Sequence, residues 1–127
     1  MALELDTPWR TWLQDLSGDT DPHDRLFCSG CQAPITSRRQ ITRIDGSHYH
    51  RFRNPYGLTF NLGCFRHAPG CVLVGMTSEE HTWFSGFSWQ LCLCEECSQH
   101  LGWYYQNAQQ ASFFGLIVDR LLAHNPD

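Results

Sequence analysis

The sequence predicts one small, mainly β domain stapled by a tetrathiolate zinc site, and three observations predict it. Four cysteines fall in two C-x-x-C pairs, Cys28/Cys31 and Cys94/Cys97, with more than sixty residues between the pairs. Around them run short segments that alternate apolar and polar residues and stop at turn dipeptides such as Asp45-Gly46, Asn54-Pro55 and Ser85-Gly86. A length of 127 residues with 42% hydrophobic side chains supplies one core and leaves little room for a second.

Residues 1–23 read as an appendage to a domain covering 24–127. Thr7 would cap a short helix with Pro8 at its first position, and Trp9, Trp12, Leu13 and Leu16 would share one face. So short a helix needs a surface to dock on, whether this domain or a partner. The polar run 17–22 ends it. From Leu26 the texture changes, and Phe27-Cys28-Ser29-Gly30-Cys31 forms the first metal knuckle. Strands are expected over 41–44, 48–53, 58–62 and 71–76, and over 87–93, which runs straight into the second knuckle. A further strand covers 101–105 and a loop 107–110. In the tail over 112–122, Phe114, Ile117, Val118 and Leu121 would share a helical face. Gly115 and the β-branched pair Ile117-Val118 favour a last core strand instead.

Each C-x-x-C bends the backbone so that two thiolates reach one ion with amides close to the sulfurs. Four thiolates around a tetrahedral ion match a closed structural zinc site, one ion per chain, with no position left for substrate. The ion must then join distant parts of the chain, and its binding energy becomes folding energy. Cys92 lies two residues before Cys94 and outside the C-x-x-C geometry, while Cys64 and Cys71 read as small buried residues. His48, His50, His67, His81 and His100 are scattered, and His48 and His50 read as partly exposed strand residues rather than ligands. A catalytic metal is not expected.

The formal net charge is −4 and lysine is absent, so no broad basic field for nucleic acid is expected. Arg38-Arg39, Arg51 and Arg53 read as surface residues. The leading residues carry no basic segment, long apolar run or small-residue cleavage site, and no window has the length of a membrane span. A cytoplasmic, reduced chain with no membrane partner is expected, which agrees with seven cysteines serving as metal ligands and core residues rather than as disulfides.

The aromatic stretch 80–89 is the second informative region. Trp83 and Trp89 lie symmetrically about Gly86, so a turn at Ser85-Gly86 would bring them across a hairpin or tight loop to neighbouring positions. Trp103 and Tyr105, two apart, would share a strand face beyond the second knuckle. Three indoles can therefore converge beside the metal, either as plain core or as an open cage for a small ring or an onium group, with a side chain such as His81 fixing polar atoms.

His81-Thr82-Trp83-Phe84-x-Gly86-Phe87-x-Trp89, Ser98-x-His100-Leu101-Gly102-Trp103-x-Tyr105 and Phe113-Phe114-Gly115-Leu116 carry a resemblance. With Cys28-x-x-Cys31 and Asn54-Pro55-x-Gly57 they resemble the thalidomide-binding (CULT) domain family of cereblon over about residues 25 to 123. The resemblance implies two antiparallel sheets meeting at an angle, a β-tent, with zinc near their junction. It implies a cage walled by Trp83, Trp89 and Trp103, completed by Tyr105 and Phe60, with Asn54 and Pro55 on the rim. The main chain at His81 and Trp83 and the His81 imidazole would hold a cyclic imide, whether glutarimide, a uracil-like ring or a cyclised imide at a protein carboxyl terminus. The length suggests a single-domain bacterial homologue without the part through which cereblon joins a ubiquitin ligase, and ligase assembly is not expected. No enzymatic activity is expected. Two other readings stand beside this one. A methionine sulfoxide reductase would need an accessible cysteine nucleophile, for which Cys64, Cys71 and Cys92 lack an evident base or placement, and the same cage could hold a quaternary ammonium group near Glu79 and Glu80.

Overall fold

The computed structural model describes residues 22–123, and the expected helix over the leading residues lies outside them. Among the described residues nine strands form two antiparallel sheets: β1 (Arg25–Cys28), β2 (Pro34–Ser37), β3 (Tyr49–Arg53), β4 (Thr59–Phe65), β5 (Cys71–Ser78), β6 (Ser88–Cys94), β7 (His100–Gln106), β8 (Ser112–Ile117) and β9 (Leu121–Leu122). The small sheet runs β2-β1-β9 and the large one β3-β4-β8-β7-β6-β5. No helix among the described residues is long and apolar enough to cross a membrane.

Strand alternation gives the large sheet two buried faces. One packs Phe65, Cys92, Leu101 and Leu116 against Leu26, Cys28 and Ile35 of the small sheet. The other collects Leu62, Cys64, Tyr105, Phe113 and Ile117 around Phe84, which arrives from the loop between β5 and β6. A buried Phe84 touches Tyr105, Phe113, His50 and Phe52 at ring separations of 4.8 to 5.2 Å, so it anchors that loop to the sheet.

Two irregularities aim side chains. In β6–β7 pairing Cys92 faces Gly102 and Leu93 faces His100, so Leu101 is an extra residue, a bulge. Because of it Leu101 joins the first core while Trp103 joins the second, although they are two apart. Gly102 permits the bulge, since its φ is +154° and a Cβ there would be driven onto the Gly115 carbonyl. In β5, residues 75–77 bow away from β6 between the pairs Val74↔Leu91 and Ser78↔Trp89, and the Gln90 side-chain amide holds the bow through the Gly75 carbonyl at 2.7 Å.

Two expected elements differ. Residues 41–44 form no strand: Ile41 makes a single bridge to Phe65, and Ile44 bonds Ser47 across the Asp45-Gly46 turn, where both central residues have positive φ. The turn consumes the segment, and its Thr42 amide donates to the Cys64 carbonyl at the end of β4 instead of running along it. The tail is a strand only as far as Ile117; a 3-10 turn over Val118–Arg120 then delivers β9 to the other sheet.

Candidate functional site

The two cysteine pairs occupy equivalent turns. In each, the first cysteine's amide donates to the carbonyl five residues on, Cys28 to Ala33 at 2.9 Å and Cys94 to Gln99 at 2.8 Å. Each also receives, at its own carbonyl, the amide four residues on, from Gln32 and Ser98 at 2.8 and 2.9 Å. Gln32 and Ser98 have nearly equal positive φ, 66° and 68°. Similar sequences thus fold into two copies of one knuckle, one between β1 and β2 and the other between β6 and β7.

The knuckles meet. Cys28 and Cys97 sulfurs lie 3.6 Å apart, as do those of Cys31 and Cys94, and all four lie within 4.8 Å of one another. Tetrahedral coordination at a metal–sulfur distance of about 2.3 Å requires sulfurs about 3.8 Å apart, so the set fits one ion. Main-chain amides point at the sulfurs: Gly30 and Cys31 at Cys28, Ala33 at Cys31, Glu96 and Cys97 at Cys94, and Gln99 at Cys97. Burial raises the Cys28, Cys31 and Cys94 thiols, whereas the Gln99 amide lowers Cys97. Four thiolates this close repel strongly unless a cation lies among them, and donors aimed at sulfur are the groups that stabilise the thiolate form. The cluster is capable of coordinating a metal ion and would join the small sheet to the large one.

Outside the cluster, Cys64 and Cys92 are fully buried. Burial pushes the Cys64 thiol up to about 12, and a hydrogen bond with Cys92, followed by burial, raises Cys71.

On the opposite face of the large sheet a cavity of about 350 Å³ is lined by Asn54, Pro55, Tyr56, Glu80, His81, Trp83, Trp89, Trp103 and Tyr105. Register explains part of this: Trp89 stands opposite Tyr105, and Trp103 lies two residues along β7 from Tyr105, opposite Leu91, on the same face. The Ser85-Gly86 turn forms, with the Phe87 amide on the Phe84 carbonyl, but it does not close a hairpin carrying both indoles. β6 pairs instead with β5 and β7, and Trp83 swings in from the loop to meet Trp103 edge to face at 5.1 Å. The Trp89 indole N–H donates to the Glu80 carbonyl at 2.8 Å and ties that loop down. His81 sits in the left-handed region at φ 58°, a conformation uncommon for a residue with a Cβ and held here by the turn 79–82.

Eight residues were expected around the ring, and the structure places seven of them on the cavity wall. Phe60 stands behind it, with its ring 5.4 Å from Trp103 and 5.9 Å from Trp83, where it backs the indoles. Asn54 is on the rim, but its carboxamide oxygen is occupied by the amides of Tyr56 and Leu58, both at 2.9 Å. Glu80, expected as a negative charge near the cage, lines the cavity, whereas Glu79 does not, and Tyr56 lines it without having been foreseen. The signal for Tyr56 was adjacency to Asn54-Pro55, and it was too weak to separate it from ordinary loop residues.

A nearly all-β fold of two sheets with a cysteine cluster on one face and an aromatic cavity on the other defines a metal-binding recognition domain. The sequence profile of the family described as Yippee zinc-binding/DNA-binding/Mis18, centromere assembly, matches residues 25–122, and the chain belongs to that family. Among individual proteins it is similar to cereblon of Danio rerio, 30% identical over 123 residues, which cover 90% of this chain and 28% of that protein. Cereblon of Gallus gallus is 29% identical over 108 residues, 80% of this chain and 24% of that protein, and cereblon of Drosophila erecta is 39% identical over 115 residues, 84% and 19%. This is a domain related to cereblon, and it spans about a quarter of the length of those relatives. They are animal proteins and lend the expected bacterial source no support.

Proposed function

We propose that residues 24–127 form a non-enzymatic binding module that holds a cyclic imide in a three-tryptophan cage steadied by one structural zinc ion. The observation that carries this reading is the convergence of Trp83, Trp89 and Trp103 on one cavity above a buried Tyr105. A cyclic imide is a compact ring with apolar faces and one polar edge made of two carbonyls and an N–H. It needs apolar walls together with a few matched polar groups, because any of its own groups buried unpaired would cost affinity. The main chain at His81 and Trp83 and the His81 imidazole are the polar partners assigned here, while glutarimide, a uracil-like ring and a cyclised protein carboxyl terminus all present that edge. The amide-lined thiolate cluster supports zinc as the ion. Outside it Cys64 and Cys92 are fully buried and the thiols of Cys64 and Cys71 are raised, which supports a binding role over thiol catalysis.

A second reading has one observation in its favour. The exposed Glu80 side chain stands at the cavity mouth beside His81, 3.8 Å from its imidazole, and a carboxylate there would suit a quaternary ammonium group.

Titration of the zinc-loaded protein with glutarimide, uracil and tetramethylammonium, followed by tryptophan fluorescence, separates the two. Glutarimide has about eight non-hydrogen atoms, so at about 0.8 kcal/mol per atom its Kd would be on the order of 10 μM. Trp103→Ala should weaken it by about 2 kcal/mol or more. Binding of the ammonium alone would replace the imide reading with the second.

A further inference from the structure

Arginine is concentrated in one part of the chain. From Arg25 to Ser78 there are seven arginines and a single acid, Asp45. Residues 1–21 instead hold five acids, Glu4, Asp6, Asp15, Asp19 and Asp21, and one arginine, Arg10. A modest net charge of −4 therefore hides an acidic leading segment joined to a basic half.

The fold lays five of these arginines, Arg38, Arg43, Arg51, Arg53 and Arg66, along one edge. β3 ends the large sheet, and its exposed Arg51 and Arg53 pair with Asn61 and Thr59 of β4. Past the other end of β4 the edge is continued by residues 38–43: Ile41 bridges Phe65, and the Arg66 guanidinium donates to the carbonyls of Ile41 and Arg39. Arg38, Arg43 and Arg66 are exposed there, with two apolar residues, Ile41 and Tyr49, 37% and 51% exposed between the charges. The leading segment enters the domain at the same place, because Arg25 pairs with Ser37, the residue before Arg38.

We propose that residues 1–21 dock in cis along this edge, their carboxylates facing its arginines and Trp9, Trp12, Leu13 and Leu16 covering Ile41 and Tyr49. Length permits it. Seven-residue β4 spans about 24 Å, whereas a 21-residue segment reaches about 30 Å even at the short rise of a helix. Each exposed ion pair contributes under about 1 kcal/mol, so charge alone is weak. Several pairs on a tethered segment act at an effective concentration in the millimolar range, and the docked state then dominates at low salt and fades as salt screens it. Docking would keep the arginines from recruiting anionic macromolecules.

Arg10 supplies the test, since trypsin cleaves after it and protection tracks the docked fraction. In the zinc-loaded full chain at about 0.05 M salt, cleavage at Arg10 is expected to be at least about tenfold slower than in a free peptide of residues 1–21. It should reach the peptide rate at about 1 M salt and in the double variant Arg43→Glu/Arg51→Glu. Should that variant misfold, Asp15→Asn/Asp19→Asn/Asp21→Asn must give the same acceleration. Peptide-like cleavage at low salt overturns the proposal, as does protection that survives both salt and charge reversal. Protection that rises with protein concentration would assign the edge to a second copy. Duplex DNA binding abolished by Arg43→Glu/Arg51→Glu, with Arg10 cut at the peptide rate, would assign it to nucleic acid; either result also overturns docking in cis.

Discussion

Asn54 and Asn107 build the same five-residue loop in two hairpins. Each carboxamide oxygen accepts amides two and four residues on, and each loop places a residue at positive φ three positions along, Gly57 and Gln110. Truncating either to alanine removes two side-chain hydrogen bonds and should destabilise the domain by about 1–2 kcal/mol. Only Asn54 borders the cavity. Asn54→Ala should therefore also weaken glutarimide about tenfold while Asn107→Ala leaves its affinity unchanged, a pair of calorimetric titrations that separates rim contact from loop stability. Cys64 makes a pH prediction. Its folded-state value of about 12 lies above the ordinary 9.0, so the folded state favours the neutral thiol. That contribution is complete below about pH 9 and is lost as pH rises toward about 12. Denaturant midpoints should fall over this range, and fall less in Cys64→Ala.

At the scale of the element, the bulge at Leu101 decides where Trp103 points. Gly102→Ala should cost more than about 3 kcal/mol, because the new methyl meets the Gly115 carbonyl and the Leu116 backbone, neither of which can move without breaking β8. Thermal melts compared with Gly115→Ala would show it, since the methyl there meets mostly the Tyr105 and Leu62 side chains. Strand existence was legible in the sequence wherever alternation ended in a turn pair, as in β3, β4, β6 and β7. The bulge was not, because it arises from how two strands slip past each other. The Ser85-Gly86 turn brings Trp83 and Trp89 to one cavity as a loop pinned by Phe84 rather than as a hairpin, because β6 pairs with β5 and β7. The cysteine cluster was fully legible, since C-x-x-C chemistry is local and its two copies need only meet.

Across the whole molecule the cluster and the cage lie on opposite faces of one sheet. The second knuckle closes the β6–β7 hairpin, which carries Trp89 and Trp103 into the cavity, and the first knuckle ties that hairpin to the small sheet. A metal that touches no ligand would thus set the spacing of two cage walls. Cys28→Ser should lose the ion and most of the folding free energy, seen as a collapse of thermal stability. Dependence of the cage on the metal is tested most directly by titrating glutarimide into zinc-loaded, chelator-stripped and zinc-restored protein while counting bound zinc by native mass spectrometry. One zinc per chain, binding on the order of 10 μM, its loss on stripping and its return with the metal are predicted. Undiminished glutarimide binding by the metal-free chain, or none by the zinc-loaded one, would contradict it.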